Sequence, residues 1–396
     1  MKTLRIGVVT PAIRAEDEAF CIPAIDNLIA GLAARGHAVT VVTLRHPSHV
    51  RPYRLGAVTV HPVGAYLERG LRRIPLFARA IARLRRAGPF DVLHALWAHE
   101  PGAVAAAAAL RARGRGRTPV LTSILGGELE RFDALGYGGQ RTAASRLMIE
   151  RALAAADAVS VGSAWLAARV RRQTGGAVLP LVLPLGVDVA RFAPCASDGD
   201  PSENAASAAD DAPTLDGDPA LLQVASLIPI KDQATLLRAF ERVHRRRPGA
   251  RLHLVGADTD LIPGRPPSGP RLTALARALG VADAVRLHGA VDHARLPALY
   301  RSADLFVLSS RFESQCMAAL EAAACGARVV GTAVGVLPAL GVPTARPGDA
   351  ADLARAIDAG LRKPQPALTD AVRARFALDA ALDRVERIYA RLAATC

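Results

Sequence analysis

The chain has 396 residues, 51% of them hydrophobic and only 4% aromatic, enough apolar matter for two separate cores and a composition that suits a helix-rich α/β protein. A formal charge of +14 gives a positive surface field that attracts phosphate-bearing partners, whether nucleotide sugars, nucleic acid or anionic lipid. The basic residues are spread over many helical segments with no aromatic-interleaved module, which argues against nucleic acid as a partner.

The five cysteines, Cys21, Cys195, Cys316, Cys325 and Cys396, are too few and too scattered for a disulfide framework or a zinc site, so a reduced, cytoplasmic setting is expected. The start, Met1 to Val9, is strand-like and too quickly interrupted for a signal peptide or a membrane span. The longest run of small apolar residues, Ala103 to Leu110, falls short of the roughly 20 that a spanning helix needs.

In chain order, Leu4 to Val9 reads as a buried strand, and Ile25, Leu28, Ile29 and Leu32 mark a helical stripe that Gly36 can end. Strands follow at 37–44 and 58–63, then a helix at 75–86, a strand at 91–96, a helix at 101–113, a strand at 119–125, a helix at 141–156 and a strand at 158–162. Such alternation is the signature of parallel βαβ units, so residues 1–183 are expected to form one doubly wound domain. Residues 184–219, rich in Ala, Ser, Asp, Gly and Pro, read as a linker with an acidic loop. The rhythm restarts with strands at 221–227, 251–256, 285–288, 304–309 and 328–332, separated by helices at 233–246, 271–279, 295–302 and 315–325. Residues 220–375 are therefore a second doubly wound domain. A last helix, 379–394, carries Leu382, Val385, Ile388, Tyr389 and Leu392 on one face and is expected to return to the first domain. Two such domains would face each other across a cleft at the carboxyl ends of their strands, where open parallel sheets bind ligands.

Chemistry concentrates in two segments of the second half. In Arg311-Phe312-Glu313-Ser314-Gln315-Cys316-Met317-Ala318-Ala319-Leu320-Glu321, Glu313 lies on the loop after a strand and Glu321 within the next helix. The free amides opening that helix, near Cys316, Met317 and Ala318, can cradle phosphate. Lys231, on the turn leaving Val224-Ala225-Ser226-Leu227, can neutralise a departing diphosphate. Blander readings remain beside these: a solvated helix acid for Glu321, a loop acid near Arg311 for Glu313, and an ordinary turn lysine for Lys231.

The paired acids with seven residues between them, followed by Gly326-Ala327-Arg328-Val329-Val330, resemble the signature of family 4 retaining glycosyltransferases, the group 1 transferases of GT-B architecture. The resemblance implies that Glu313 contacts hydroxyls of a donor sugar, that Glu321 holds the ribose of its nucleotide, and that Lys231 binds its phosphates. Ser226 stands where the family usually has an arginine, and Ser314 and Cys316 replace two glycines, which changes the phosphate loop. Pro184 to Asp188 with Phe192 and Pro194 resembles the interdomain turn, and His288-Gly289 the strand bordering the nucleobase pocket, although a core role for His288 is the simpler reading.

In the first half, Leu125-Gly126-Gly127-Glu128 occupies the strand-end position where the family commonly has His-Gly and an acid. Gly126 lets backbone approach the sugar, and Glu128 can bind a hydroxyl. His94 and His99 lie near another strand end, where each could meet the acceptor or be structural. The usual glycine-rich loop after the first strand is replaced by Thr10 to Glu18, an acid-rich stretch. The expected site is then Glu313, Lys231, Gly126 and Glu128 for catalysis, with Glu321, Ser226, Cys316, Met317, Ala318, His288 and Gly289 for the nucleotide.

The implied function is hexosyl transfer, with retention, from a UDP or GDP type nucleotide sugar to a carbohydrate or lipid-linked acceptor in cell-envelope or glycoconjugate synthesis. No cofactor and no metal are expected: Asp258-Thr259-Asp260 has the spelling of a manganese motif but lies in a Gly/Pro-rich loop. Two rivals share the architecture, a sugar-nucleotide epimerase and a non-catalytic binding subunit. The basic amphipathic stretch Arg69 to Arg86 reads equally as a peripheral contact with anionic membrane or as a helix packed on the sheet.

Overall fold

The computed structural model describes residues 2–15, 22–47, 49–64, 73–110, 117–194, 215–259 and 266–394. Cys21, Cys195 and Cys396, the acids Glu16 to Glu18, Arg69, Leu71 and Arg72 of the basic stretch, Asp260, and the loop 195–214 lie outside these residues. The chain forms two compact units, residues 1–186 with 378–396, and residues 187–377.

The first unit contains strands β1 (Arg5–Ala12), β2 (Ala38–His46), β3 (Tyr53–Leu55), β4 (Val58–Pro62), β5 (Val92–Leu96), β6 (Val120–Ile124), β7 (Ala158–Val161) and β8 (Leu181–Val182). Among the described residues they make one sheet in the order β3-β4-β2-β1-β5-β6-β7-β8, parallel except for the β3–β4 hairpin. Helices α1 (Pro23–Ala34), α2 (Ile74–Ala87), α3 (Glu100–Ala109), α4 (Ala143–Ala154) and α5 (Ala164–Gln173) connect them. Strands β5 and β6 are buried at every residue, the pattern of parallel strands covered on both faces. One face packs Ile6, Val8, Ile25, Leu32 and Val41 with Leu382, Val385, Tyr389 and Leu392 of the C-terminal helix Leu378–Ala394.

That helix is also tied by charge: Arg35 reaches Asp383 at 2.6 Å and Glu386 at 2.9 Å, and His37 meets the other oxygen of Glu386 at 3.0 Å. Helix α2 buries Ala80 and Leu84 and packs Leu76, Phe77 and Ile81 against the opposite face of the sheet. Its apolar side is thus spent on the core, leaving Arg79, Arg85, Arg86 and Ile74 on the surface. Among the described residues no helix is long and apolar enough to cross a membrane.

The second unit contains β9 (Ala220–Val224), β10 (Arg251–Val255), β11 (Val285–Gly289), β12 (Leu305–Leu308), β13 (Val329–Thr332) and β14 (Thr344–Ala345), all parallel, in the order β11-β10-β9-β12-β13-β14. Its helices are α6 (Gln233–Arg246), α7 (Ser268–Ala278), α8 (Leu296–Ser302), α9 (Met317–Ala324), α10 (Ala350–Arg362) and α11 (Pro366–Phe376). Leu236, Leu237, Phe240 and Val243 of α6 recur at helical spacing and are fully buried. Each such side chain contributes about 1.5–3 kcal/mol by leaving water.

The first part of the expected linker belongs to this unit, because Val187 donates its N–H to Phe376 O at 2.7 Å and Phe192 is buried. The strand order reverses at β9, whose neighbours are β10 and β12. In open parallel sheets that reversal leaves a crevice at the carboxyl ends of the strands.

Candidate active site

The segments leaving β9 and β12 meet at this crevice. After β12, Ser309 donates its hydroxyl to the backbone carbonyl of Lys231 at 2.8 Å and receives the Gln223 amide at 2.8 Å. Arg311 N–H donates to Ile230 O at 2.8 Å, and the Arg311 guanidinium pairs with Asp232, so the two loops are stitched together by backbone and by charge. Asp232 in turn caps α6, accepting from Thr235 N at 3.3 Å.

Within this frame the Lys231 ammonium lies 2.6 Å from Glu313 Oε1, which also accepts the Ser310 hydroxyl at 2.6 Å. Ser310 is held from behind, its carbonyl accepting the Thr332 hydroxyl at 2.7 Å. Burial alone would depress the Lys231 ammonium, but the Glu313 carboxylate outweighs it and holds the lysine above its ordinary pKa. Gly335, at φ 61°, packs where a Cβ would come within 2.5 Å of Gln315 O and 3.0 Å of Glu313 Cβ, so only glycine lets this loop close over the acid.

Cys316 precedes α9 in a left-handed conformation, φ 80° and ψ 81°, with its thiol buried. Burial and the neighbouring Glu313 push that thiol far above its usual pKa, against Lys231, and Glu321 acts in the same direction. The Lys231–Glu313 pair therefore stands beside the turn of backbone whose following amides, Met317 and Ala318, open α9. Glu321 itself is 7% exposed and accepts from Tyr300 OH at 3.1 Å, with His293 Nε2 at 3.0 Å from its other oxygen.

Other expected nucleotide residues are placed differently. His288 Nε2 lies 2.9 Å from Nδ1 of the fully buried His253, whose Nε2 meets Asp216 O at 2.8 Å, and burial together with that neighbour lowers the His288 pKa. Its imidazole is thus part of a strand-to-strand contact. Ser226 offers its carbonyl to Gln233 at 3.0 Å, and Gly289, at φ 71°, is exposed with open space beside its α-carbon. Asp258 accepts from Ser268 N at 3.1 Å and Gly269 N at 2.6 Å, so its carboxylate satisfies the first amides of α7 from a separate loop.

The first unit carries a cavity of about 890 Å³ at its own strand ends, lined in part by Arg45, Trp97, His99, Gly126, Tyr137 and Arg141. Trp97 is held at φ 81°, a conformation rare for a bulky side chain and often found at functional sites. Glu128 at its rim is fully buried and accepts from Gly126 N at 2.7 Å, Leu125 N at 3.1 Å and Ala98 N at 3.4 Å. Burial raises its pKa, opposed by His99 and these amides. Glu128 therefore shapes the loop, with three of its roughly four acceptor positions serving backbone donors.

Gly127 makes room for the Tyr137 ring, which a Cβ would approach within 2.4 Å. His94 is withdrawn from any ligand, completely buried between Tyr389 OH at 2.6 Å and Ser123 Oγ at 2.7 Å.

A family model described as Glycosyltransferase Family 4 matches residues 24–191, and one described as Glycosyl transferases group 1 matches residues 218–363. A D-inositol 3-phosphate glycosyltransferase of Geodermatophilus obscurus is 32% identical over 325 residues, covering 77% of this chain and 68% of that protein. The chain belongs to the group 1 glycosyltransferase family.

A second relative of the same name, from Actinosynnema mirum, is 40% identical over 163 residues, 40% of this chain and 36% of that protein, so this match spans only about a third of its length. Among solved structures, sucrose-phosphate synthase of Thermosynechococcus elongatus aligns with a TM-score of 0.77 at 21% identity, over 99% of this chain and 100% of that one. Anabaena HepE, in complex with UDP and glucose, aligns at 0.70 and 18% identity, over 98% and 99%. These likenesses give the GT-B fold, two Rossmann-like parallel-sheet domains.

Of the residues expected from the sequence of this group 1 member, Lys231 and Glu313 are brought together beside the start of α9, and Glu321 lies buried within that helix. The sequence reading did not single out Ser310, Asp232, His293 and Tyr300, the groups that hold them. The Ser309-Ser310 pair ending a strand three residues before the acid was a local signal; His293 and Tyr300 had none, since they reach Glu321 only through packing.

Proposed function

We propose that the chain is a retaining, metal-independent glycosyltransferase that moves a hexosyl group from a nucleotide-diphosphate sugar to a hydroxyl acceptor. The observation that carries this reading is the Lys231–Glu313 pair at 2.6 Å beside the opening turn of α9, at the reversal point of the second sheet. The UDP complexes of HepE support a nucleotide-sugar donor, which we take to be of UDP or GDP type. Lys231 and the amides of Met317 and Ala318 are assigned to the diphosphate, Glu313 to hydroxyls of the sugar, and Glu321 to the ribose.

When donor binds, phosphate oxygens replace Glu313 as the nearest anion to the ammonium, and the acid is released toward the sugar. The acceptor oxygen then forms a bond to the anomeric carbon on the face from which the diphosphate leaves. The bond from that carbon to the phosphate oxygen breaks with its electron pair, and the acceptor hydroxyl's proton passes to the departing phosphate. Positive charge supplied by Lys231 stabilises that leaving group without a divalent ion.

The cavity of the first unit, with Arg45, Trp97 and Arg141 in its wall, is assigned to the acceptor. The acceptor we propose is a carbohydrate or lipid-linked hydroxyl, and the relatives named D-inositol 3-phosphate glycosyltransferases support a phosphorylated polyol there. The test is to screen UDP and GDP sugars for thermal stabilisation, then to assay donor hydrolysis and transfer in EDTA and determine the product anomer. Turnover with retention in EDTA is expected, with loss of nearly all of it in Lys231→Ala and Glu313→Ala. Inversion, a strict metal requirement, or wild-type turnover in either variant would overturn the reading.

A further inference from the structure

Glu321 projects from the second turn of α9, and a glutamate there has three side-chain torsions to fix before it can present both oxygens to a ligand. To read two adjacent hydroxyls as a pair, each oxygen must keep one acceptor position open and the carboxylate plane must be held. Oxygen Oε1 lies 3.0 Å from His293 Nε2, and Oε2 receives the Tyr300 hydroxyl at 3.1 Å. A carboxylate offers about four lone-pair positions, so one donor on each oxygen leaves one position on each, the number a vicinal diol requires.

The two donors are themselves fixed. The His293 ring meets the buried Phe192 edge-on, with centroids 5.1 Å apart, and the fully buried Tyr300 ring lies between Phe192 at 6.1 Å and Phe306 at 6.0 Å. Burial and the Glu321 carboxylate hold the phenol well above its ordinary pKa, so Tyr300 stays a donor at any working pH. Phe192 comes from the stretch that opens this unit, while His293 lies just before α8 and Tyr300 within it, so a distant segment braces the two donors that meet the acid.

We infer that His293 and Tyr300 are positioning residues that lock the Glu321 carboxylate for paired recognition of the donor's ribose hydroxyls, with Phe192 fixing the imidazole. The inference rests on the assignment of Glu321 to the ribose and adds what makes that acid discriminating. His293 and Tyr300 act through Glu321 and touch no reacting atom.

The test measures dissociation constants of UDP and GDP, each against its 2′-deoxy counterpart, for the wild type and for His293→Ala, His293→Gln, Tyr300→Phe and Glu321→Gln. The wild type is expected to prefer the ribonucleotide by about 10-fold or more, the value of one hydrogen bond to a charged group. His293→Ala and Tyr300→Phe each cut that preference by about 3- to 10-fold while leaving affinity for the 2′-deoxy nucleotide nearly unchanged. His293→Gln, which keeps an N–H donor, restores most of it.

A purely structural role would weaken both nucleotides alike and lower the melting temperature. Tyr300→Phe keeps the buried ring and decides the matter if His293→Ala does not fold. Should both variants retain the wild-type preference while Glu321→Gln loses it, the positioning roles are refuted and the ribose assignment stands. Should Glu321→Gln retain it, or should neither nucleotide bind the wild type, the assignment fails and the inference with it.

Discussion

Two buried glutamates, one in each unit, stand at the carboxyl ends of parallel strands and differ in what neutralises them. Glu313 is 8% exposed and faces an ammonium at 2.6 Å; Glu128 is fully buried and faces backbone amides at 2.7, 3.1 and 3.4 Å. An ion pair at a crevice can exchange partners, because an incoming phosphate satisfies the lysine and a sugar hydroxyl satisfies the acid. Amides that hold a loop in place have no replacement acceptor, so their acid cannot be lent to a ligand without loosening the loop. Burial depth alone does not separate a site residue from a structural one; the mobility of the counter-charge does.

The most severe break of this comparison is Glu313→Ala or Lys231→Ala, each expected to lower kcat/KM by about 100- to 1,000-fold in a chain that still folds. The Glu128→Ala variant should show the reverse signature. Leaving the amides of Ala98, Leu125 and Gly126 without an acceptor costs about 2–3 kcal/mol of stability, seen in urea unfolding. Equal thermal shifts in the two variants would erase the distinction.

A third buried group sharpens the contrast by pH. Burial lowers the His94 pKa from 6.5 to about 3, so below pH 6.5 the unfolded chain takes up a proton that the folded chain refuses. Stability is whole above pH 6.5 and is lost as pH falls from there toward 3, by about 1.4 kcal/mol per unit from this group alone. Unfolding free energies measured from pH 7.5 to 5 in wild type and in His94→Gln should differ in slope over that range. Parallel profiles would remove His94 as the cause.

The smallest effect is expected at Cys316, whose φ of 80° suits glycine. Cys316→Gly should change stability by less than about 1 kcal/mol, since relief of backbone strain offsets the lost thiol contacts, whereas Cys316→Val should cost about 2 kcal/mol or more.

Much of the strand rhythm was legible because parallel strands are short apolar runs. The helix expected at 233–246 is the one observed as α6, with a buried stripe and basic residues at its end. Elements with weak patterns escaped: α5 is short and strongly basic, β14 has two residues, and α10 and α11 follow the last strand that was read. Motif residues were found where spacing along one loop and helix carries the geometry, as in 313–321. For His288 and Glu128, sequence position shows a strand end but not which neighbours take up the side chain's bonds. In the folded chain those bonds go to His253 and to loop amides.

By itself the sequence determined the alternation of strands and helices, the two-domain α/β organisation and the positions of Lys231, Glu313 and Glu321, all of which follow from local periodicity and short spacing. Only the tertiary structure decided that Lys231, from the segment after β9, would pair with the acid after β12, and that Phe192, His293 and Tyr300 would assemble behind Glu321. Those encounters join residues 21 to 101 positions apart, and they exist because sheet order and core packing, which no local pattern encodes, bring the segments together.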